Sequence, residues 1–280
     1  MSKKISDVFF FMILYMMLVS CKKSNDMNPG PGVTPAFKLS YGDSIFYLQN
    51  QATDVIIKPN SSAVGQYTGF PEGIDIDANT GAVNISKSET GLRYRVSFKP
   101  AGSVDSFNTV ITISGINFLD GFYKLTTADS VLKPLYNANN VPVMPGFNNG
   151  SVFDEGSNCN GSGCTVNVLN GQINLAQTVR NGVFGNKPAN NDRHEFLMNY
   201  RINDKSNKSL NSLKVKLYYF DTMADVTPEA YAIIASREGT VFRADTFAPF
   251  TINGADIQNL PSAVRKTATP RPPCIFIVSR

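Results

Sequence analysis

Apolar and polar positions alternate with a period of two over much of this chain. From Leu92 to Lys99, Tyr94, Val96 and Phe98 fall on one face and Arg93, Arg95, Ser97 and Lys99 on the other. That is the pattern of a strand with one face buried. Ser44–Leu48, Val55–Lys58 and Thr109–Ser114 are further β-rich runs, bounded by turn residues such as Gly42-Asp43 and Pro59-Asn60. No window between 33 and 115 carries a helical period. Short strands at even spacing predict a small β-sandwich over 33–115.

The same alternation continues beyond Asn117-Phe118-Leu119-Asp120-Gly121, which reads as a hinge. Strands are expected at Phe122–Thr126, Thr165–Leu169, Gln172–Leu175 and Ile275–Val278. Asn170-Gly171 signals a tight type I′ hairpin between the second and third of these. Phe196, Met198, Tyr200 and Ile202 alternate with Leu197, Asn199 and Arg201, and Leu213, Val215, Leu217 and Tyr219 alternate with Lys214, Lys216, Tyr218 and Phe220. The polar loop Asn203–Lys208 is too short for a parallel crossover, so the two strands pair antiparallel. Lys214 and Lys216 then lie on the wetter face, a place for a ligand-binding surface. One helix is expected, with Thr227 as N-cap, Pro228 at N1, Glu229 in the first turn and Gly239 just past the end. The fold class is mainly β: an N-terminal Ig-like β-sandwich followed by a second β-rich domain, 116–280, with one short helix.

The N-terminus has a different character. Lys3 and Lys4 precede Val8–Val19, an unbroken apolar run of twelve residues. As a helix it rises about 18 Å, short of a hydrocarbon core of about 30 Å. It reads as the apolar region of a signal peptide, 1–20. The run ends in Leu18-Val19-Ser20-Cys21, which resembles the lipobox of bacterial lipoproteins. The resemblance implies lipidation at Cys21 and cleavage before it. Membrane attachment then comes through the lipid anchor, since three acyl chains suffice for stable anchoring. Residues 21–32 read as the lipidated tether, rich in Pro and Gly. In lipoproteins of the Bacteroides type an acidic run after the cysteine marks export to the cell face; Asp26 alone stands there, so periplasmic and cell-surface faces of the outer membrane both stay open.

A second resemblance lies in the first unit. Phe70-Pro71-Glu72-Gly73-Ile74-Asp75-Ile76-Asp77, then Ala78-Asn79-Thr80-Gly81-Ala82-Val83, then Gly91-Leu92-Arg93-Tyr94-Arg95-Val96, is similar to the Ig-like, cadherin-like repeat of bacterial surface proteins. The match spans about 30 residues and rests on the spacing of Pro71, Gly73, Asp77, Gly81 and Tyr94. Phe70 stands where that family carries Leu, and Asn84-Ile85 where it carries a small pair. Asn79-Thr80-Gly81 supplies a turn with positive φ available at Gly81. Tyr94 puts a large ring into a thin core. The Asp75, Asp77, Asn79 alternation imitates the start of a calcium loop, but Gly81 and Ser86 miss the positions such a loop needs.

Charge excludes one class of partner. The formal charge of +4 divides as +2 over 1–32 (four Lys, two Asp), −1 over 33–115 (six basic, seven acidic) and +3 over 116–280 (16 basic, 13 acidic). No basic stripe with interleaved aromatics forms, so no nucleic-acid partner is expected. The 28 Asn residues favour turns over long helices.

Candidate chemistry is sparse. With Cys21 lipidated, Cys159, Cys164 and Cys274 remain. Cys159 and Cys164 flank a short flexible loop, and an oxidising export route makes a disulfide between them the default, with Cys274 either a buried thiol or the true partner of one of them. A zinc site from Cys159, Cys164, Cys274 and His194 has the right ligand count but scattered ligands, and no metal or other cofactor is expected. No nucleophile elbow, zinc-protease motif or phosphate loop occurs, so no catalytic residue is assigned. Tyr136, Tyr218, Tyr219 and Tyr231 are candidates for sugar stacking, with burial in the core as the alternative. Asp43-Ser44-Ile45, Asp129-Ser130-Val131 and Asp221-Thr222-Met223 resemble the acceptor of bacterial O-glycosylation. The reading is a lipid-anchored, non-catalytic envelope protein, an Ig-like spacer carrying a domain that binds a glycan or a protein; the ligand-binding residues are unknown. The alternative is a glycan hydrolase working through a carboxylate pair.

Overall fold

The computed structural model describes residues 37–126, 130–139, 150–237 and 271–280. The leader, Cys21, the tether, Asp129 and Gly239 lie outside the described residues. Lys38–Arg280 form one compact unit, and it is mainly β.

A four-stranded sheet is built from β1 (Ile45–Phe46), β3 (Gly65–Phe70), β5 (Leu92–Pro100) and β6 (Phe107–Ile113), in the order β1-β6-β5-β3. The inward positions of β5 are the expected ones: Tyr94, Val96 and Phe98 are fully buried. The Tyr94 hydroxyl donates to Glu89 O at 2.7 Å, which satisfies the polar end of the ring. A two-stranded layer of β2 (Ile56–Ile57) and β4 (Val83–Asn84) stands with this sheet, and Leu39, Tyr41, Ile74, Ile76, Val83 and Ile85 complete the core. Strand β3 escapes the sequence pattern. Its Gly65 and Gly69 are poor strand formers, and Gly65 is there because a Cβ would lie 2.3 Å from Lys99 O on β5.

A five-stranded sheet follows, order β11-β13-β14-β15-β8. Its strands are β8 (Gly121–Lys124), β11 (Val152–Phe153), β13 (Asp192–Arg201), β14 (Asn211–Phe220) and β15 (Cys274–Val278). β13 and β14 pair antiparallel, with Phe196 opposite Val215 and Met198 opposite Leu213. Short strands β7 (Ile116–Asn117), β9 (Val131–Leu132), β10 (Leu135–Tyr136) and β12 (Ile173–Asn174) pair as β10-β7 and β12-β9. One face of the sheet buries Phe196, Met198, Tyr200, Leu213, Val215, Leu217, Tyr219, Ile275 and Ile277. The other buries Tyr218, Phe220, Cys274, Phe276 and Val278 beneath the expected helix, Pro228–Arg237. Two more short helices occur among the described residues, and their buried Cys159 and Leu175 belong to the cluster on the other face. These are α1 (Asn158–Gly161) and α2 (Leu175–Arg180), and the helix Pro228–Arg237 is α3. The Asn174 side chain caps α2 by accepting from Gln177 N. That cap ends the expected strand Gln172–Leu175 after Asn174.

The two halves carry the same corner. In the first, Asp77 N donates to Ala82 O (2.9 Å), Gly81 N to Asp77 O (2.8 Å) and Asn84 N to Asp75 O (2.9 Å). Ser88 Oγ accepts from Asp75 N (2.9 Å) and donates to Asn84 O (2.7 Å). In the second, Asn167 N donates to Gln172 O (2.8 Å), Gly171 N to Asn167 O (2.8 Å) and Asn174 N to Thr165 O (2.9 Å). Thr178 Oγ1 accepts from Thr165 N (3.0 Å) and donates to Asn174 O (2.8 Å). Each residue of the second set follows its counterpart by 90 positions, as Gly171 follows Gly81. The strand pairs repeat too: Ile57 faces Val83 across β2-β4, and Leu132 faces Ile173 across β9-β12. The antiparallel run β3-β5-β6 recurs as β11-β13-β14. The second half is therefore a second copy of the first half's architecture. Asn170-Gly171 is not a two-residue hairpin, because Gly171 N closes back onto Asn167 O and Val166 pairs with Ile173.

One difference separates the copies. β1 runs parallel to β6 and pairs with it directly. Its counterpart β8 does not reach β14, because the C-terminal strand β15 lies between them, parallel to both. All five residues of β15 are buried.

The duplicated corner makes a prediction. Gly81 and Gly171 both have φ of 70°, and a Cβ would lie 2.7 Å from the Tyr67 ring at one and 2.8 Å from the Phe153 ring at the other. Gly81→Ala and Gly171→Ala should each cost about 1–2 kcal/mol from left-handed backbone alone, with ring displacement added. Urea unfolding measures both. A loss below about 0.5 kcal/mol at either glycine contradicts the equivalence of the corners.

Candidate functional site

The outward face of the four-stranded sheet is the open one. Across it the register sets Thr112 opposite Arg93, Val110 opposite Arg95 and Asn108 opposite Ser97 on one side of β5. On the other side lie Phe70 opposite Arg95, Thr68 opposite Ser97 and Gln66 opposite Lys99. A concavity of about 490 Å³ lies at the Lys99 end, lined by Gln66, Thr68, Asn79, Ser97, Lys99 and Ser106 among others. A second, of about 380 Å³, lies at the Arg93 end with Ser44, Ile45, Val110 and Thr112. Both sizes are in the range of small-ligand sites. The Arg95 guanidinium sits over the Phe70 ring, 5.3 Å from its centroid, and Phe70 is itself exposed. Ser97 Oγ donates to Asn108 Oδ1 at 2.5 Å, which holds the middle of the face in place. Hydroxyl and carboxamide groups both donate and accept, so Gln66, Thr68, Asn79, Ser97 and Ser106 can meet a ligand's hydroxyls, while Val64, Pro100 and Ala101 give the same concavity an apolar part.

The corresponding face of the second copy is closed. Glu195 binds Lys216 at 2.9 Å and Lys214 at 3.2 Å, and these bonds, Lys216 first, hold its carboxyl below the usual range. Arg201 binds Glu155 at 2.6 Å. Arg193 binds Glu229 of α3 at 2.7 Å and lies over the Tyr218 ring. Lys214 and Lys216 do face outward as expected, but their charge is met within the sheet. Of the four candidate stacking tyrosines, Tyr218 and Tyr219 are buried. Tyr136 donates to Asp204 at 2.8 Å. Tyr231 is exposed and packs on Phe122, ring centroids 5.1 Å apart. They form no common platform.

The cysteines and the histidine are not gathered. Cys159 and Cys164 are free thiols, both fully buried in one cluster. A hydrogen bond with Cys164 and burial push the Cys159 thiol well up. Asp154 fixes this loop by accepting from Cys159 N (2.8 Å) and Asn160 N (2.9 Å). Cys274 lies on the opposite face of the five-stranded sheet, 4.0 Å from the Tyr218 hydroxyl. His194 sits between the Phe184 and Phe196 rings. Among the described residues no group of three His, Cys, Asp or Glu could hold a metal ion.

A buried charged cluster joins the copies and was not legible in the sequence. Asp120 accepts from Arg237 at the end of α3, from Arg271 at 3.5 Å and from Cys274 N at 2.7 Å. Arg271 N donates to Glu89 at 2.7 Å, and burial raises the Glu89 carboxyl. The cluster ties α3, the start of β15 and Glu89 of the first copy together.

No family model matches the chain, and no curated protein matches it. Among solved structures it is similar to Drosophila N-cadherin EC1-4, at 14% identity and a TM-score of 0.22, covering 65% of this chain and 48% of that one. It spans about half the length of that cadherin fragment. Human protocadherin-24 EC1-2 gives 10% identity and a TM-score of 0.24, covering 65% and 94%. A SusE-like surface located polysaccharide binding protein from the Bacteroides thetaiotaomicron heparin utilisation locus gives 10% and 0.22, covering 67% and 35%. Likeness at these TM-scores establishes no common overall arrangement.

Proposed function

We propose that this chain is a lipid-anchored, non-catalytic protein of the bacterial cell envelope that binds carbohydrate on the outward face of its first sheet. The observation that carries the reading is the concavity lined by Gln66, Thr68, Asn79, Ser97 and Ser106. These are side chains that donate and accept at once; Gln66, Thr68 and Ser97 stand on the strand pair β3-β5, Asn79 in the corner turn and Ser106 just before β6. Residues 33–115 then supply the binding sheet, and 116–280 supply a second, closed copy with the C-terminal strand built into it. This reverses the division of labour expected from the alternation of Lys214 and Lys216.

Affinity electrophoresis of the full chain in detergent, through gels holding neutral or acidic polysaccharides, tests the reading. At least one polysaccharide should retard the chain. Gln66→Ala with Asn79→Ala should weaken that binding about thirtyfold, since two neutral hydrogen bonds contribute about 1 kcal/mol each. Migration unaffected by every polysaccharide would sink the proposal.

The anchor and the cysteines have their own tests. Cys21→Ala should release the chain from membranes and remove its acyl groups; a variant that stays membrane-bound and acylated refutes lipidation there. We also propose that Cys159 and Cys164, already in side-chain contact, close to a disulfide in an oxidising envelope. Mature protein should be lighter by two hydrogens than its reduced form, and the difference should vanish in Cys159→Ser. Two free thiols in protein recovered from the envelope would count against it.

A further inference from the structure

The charge of the candidate face identifies the class of carbohydrate. β5 carries Arg93, Arg95 and Lys99 outward, and among the described residues no carboxylate stands on the paired positions of β3, β5 and β6. Asp43 stands beside it at the start of β1, bonded to Ser44 N at 2.6 Å, and Asp105 lies in the exposed β5–β6 turn. Among the described residues neither Arg93 nor Lys99 has an ion-pair partner.

In the second copy the outward cations of β13 and β14 are met within the protein. There Arg193, Arg201, Lys214 and Lys216 all meet a carboxylate within 3.2 Å. Position by position, the equivalence of Tyr94 with Phe196 through the shared pairing puts Glu195, the residue that neutralises that face, where the first copy has Arg93. The same framework thus carries a self-compensated face in one copy, and in the other a face on which Arg93 and Lys99 have no ion-pair partner among the described residues. At about 3.3 Å per residue, the row from Arg93 to Lys99 extends about 20 Å. It joins the two concavities, so an extended ligand can lie along β5 across both.

We propose that the ligand is an acidic polysaccharide, carboxylated or sulfated, whose acid groups pair with Arg93 and Lys99 while its hydroxyls meet Gln66, Thr68, Asn79 and Ser97. The proposal rests on the carbohydrate reading above and narrows it. A single-stranded nucleic acid fits less well, because such grooves stack successive bases on several aromatic rings and this face offers Phe70 alone along its middle.

The test compares polygalacturonate and chondroitin sulfate with dextran and mannan, using the full chain in detergent. Acidic polymers should bind, and binding should fall at least tenfold at about 1 M NaCl, where the screening length is about 3 Å. Arg93→Gln with Lys99→Gln should lose at least tenfold in affinity at an unchanged melting temperature. Arg93→Lys with Lys99→Arg should keep most of it. Equal binding of neutral and acidic polymers, or full binding by the Gln double variant, overturns this proposal and leaves the carbohydrate reading standing. Binding of no polysaccharide overturns both. Tighter binding of an oligo-dT than of either acidic polymer overturns the choice of ligand.

Discussion

Each copy of the repeat turns on a glycine that has an aromatic ring where its side chain would be. Gly81 lies against Tyr67 and Gly171 against Phe153. The backbone must come this close for the turn to cross the end of the sandwich and return as β4 or β12. With left-handed φ and no Cβ available, only glycine meets both demands. Once the turn is fixed, its ladder of backbone bonds fixes the register of the two-stranded layer. That layer buries Ile76 and Val83 in the first copy, and Val166 and Ile173 with the sheet's core cluster in the second. A strand shifted by one residue would send Arg93, Arg95 and Lys99 inward. The cationic face therefore depends on a glycine more than ten residues away from it.

The second constraint acts on the C-terminal strand. Cys274–Val278 is apolar throughout and buried on both faces of the sheet. A parallel strand with no short connection to its neighbours needs its ends positioned by something else. Asp120 does this at one end, accepting from Cys274 N and from the two arginines on either side of the chain segment that leads into the strand. At the other end Arg280 binds Asp221 at 3.0 Å. The Asp120 group is almost wholly buried, where an ion pair is weak as a source of stability but strongly disfavours any arrangement that leaves one partner unpaired. Its effect is to specify where α3 and β15 dock.

The copies also divide their surface electrostatics. In the second, Arg193, Arg201, Lys214 and Lys216 are each spent on a neighbouring carboxylate, and α3 covers the aromatic end of the face. In the first, the sheet is left open and positively charged on one side, while Asp43 and Asp105 stand outside the strands and Asp75 is buried. A net charge of −1 over 33–115 hides this, since the sum is blind to which face each charge occupies.

Local sequence determined a good deal here. The alternation in Leu92–Lys99, Phe196–Ile202 and Leu213–Tyr219 fixed the main strands and their buried faces, because period two is a property of the strand itself. Thr227-Pro228-Glu229 marked the start of α3 for a similarly local reason. The glycine-poor rule concealed β3, whose glycines answer to atoms on β5 and in the corner, and the Asn174 cap turned an expected strand into α2. The repeat went unread because only a few of its residues, Gly73, Gly81 and Asn84 against Gly163, Gly171 and Asn174, are identical; its hydrogen bonds run through backbone atoms that any side chain permits. Which lysines are free and which are spent, where β15 inserts, and which of two matching sheets stays open were decided by tertiary structure alone. Those outcomes depend on pairs such as Asp120 with Arg237 or Arg193 with Glu229, brought together from distant parts of the chain, and no local period records a distance between residues that only folding makes neighbours.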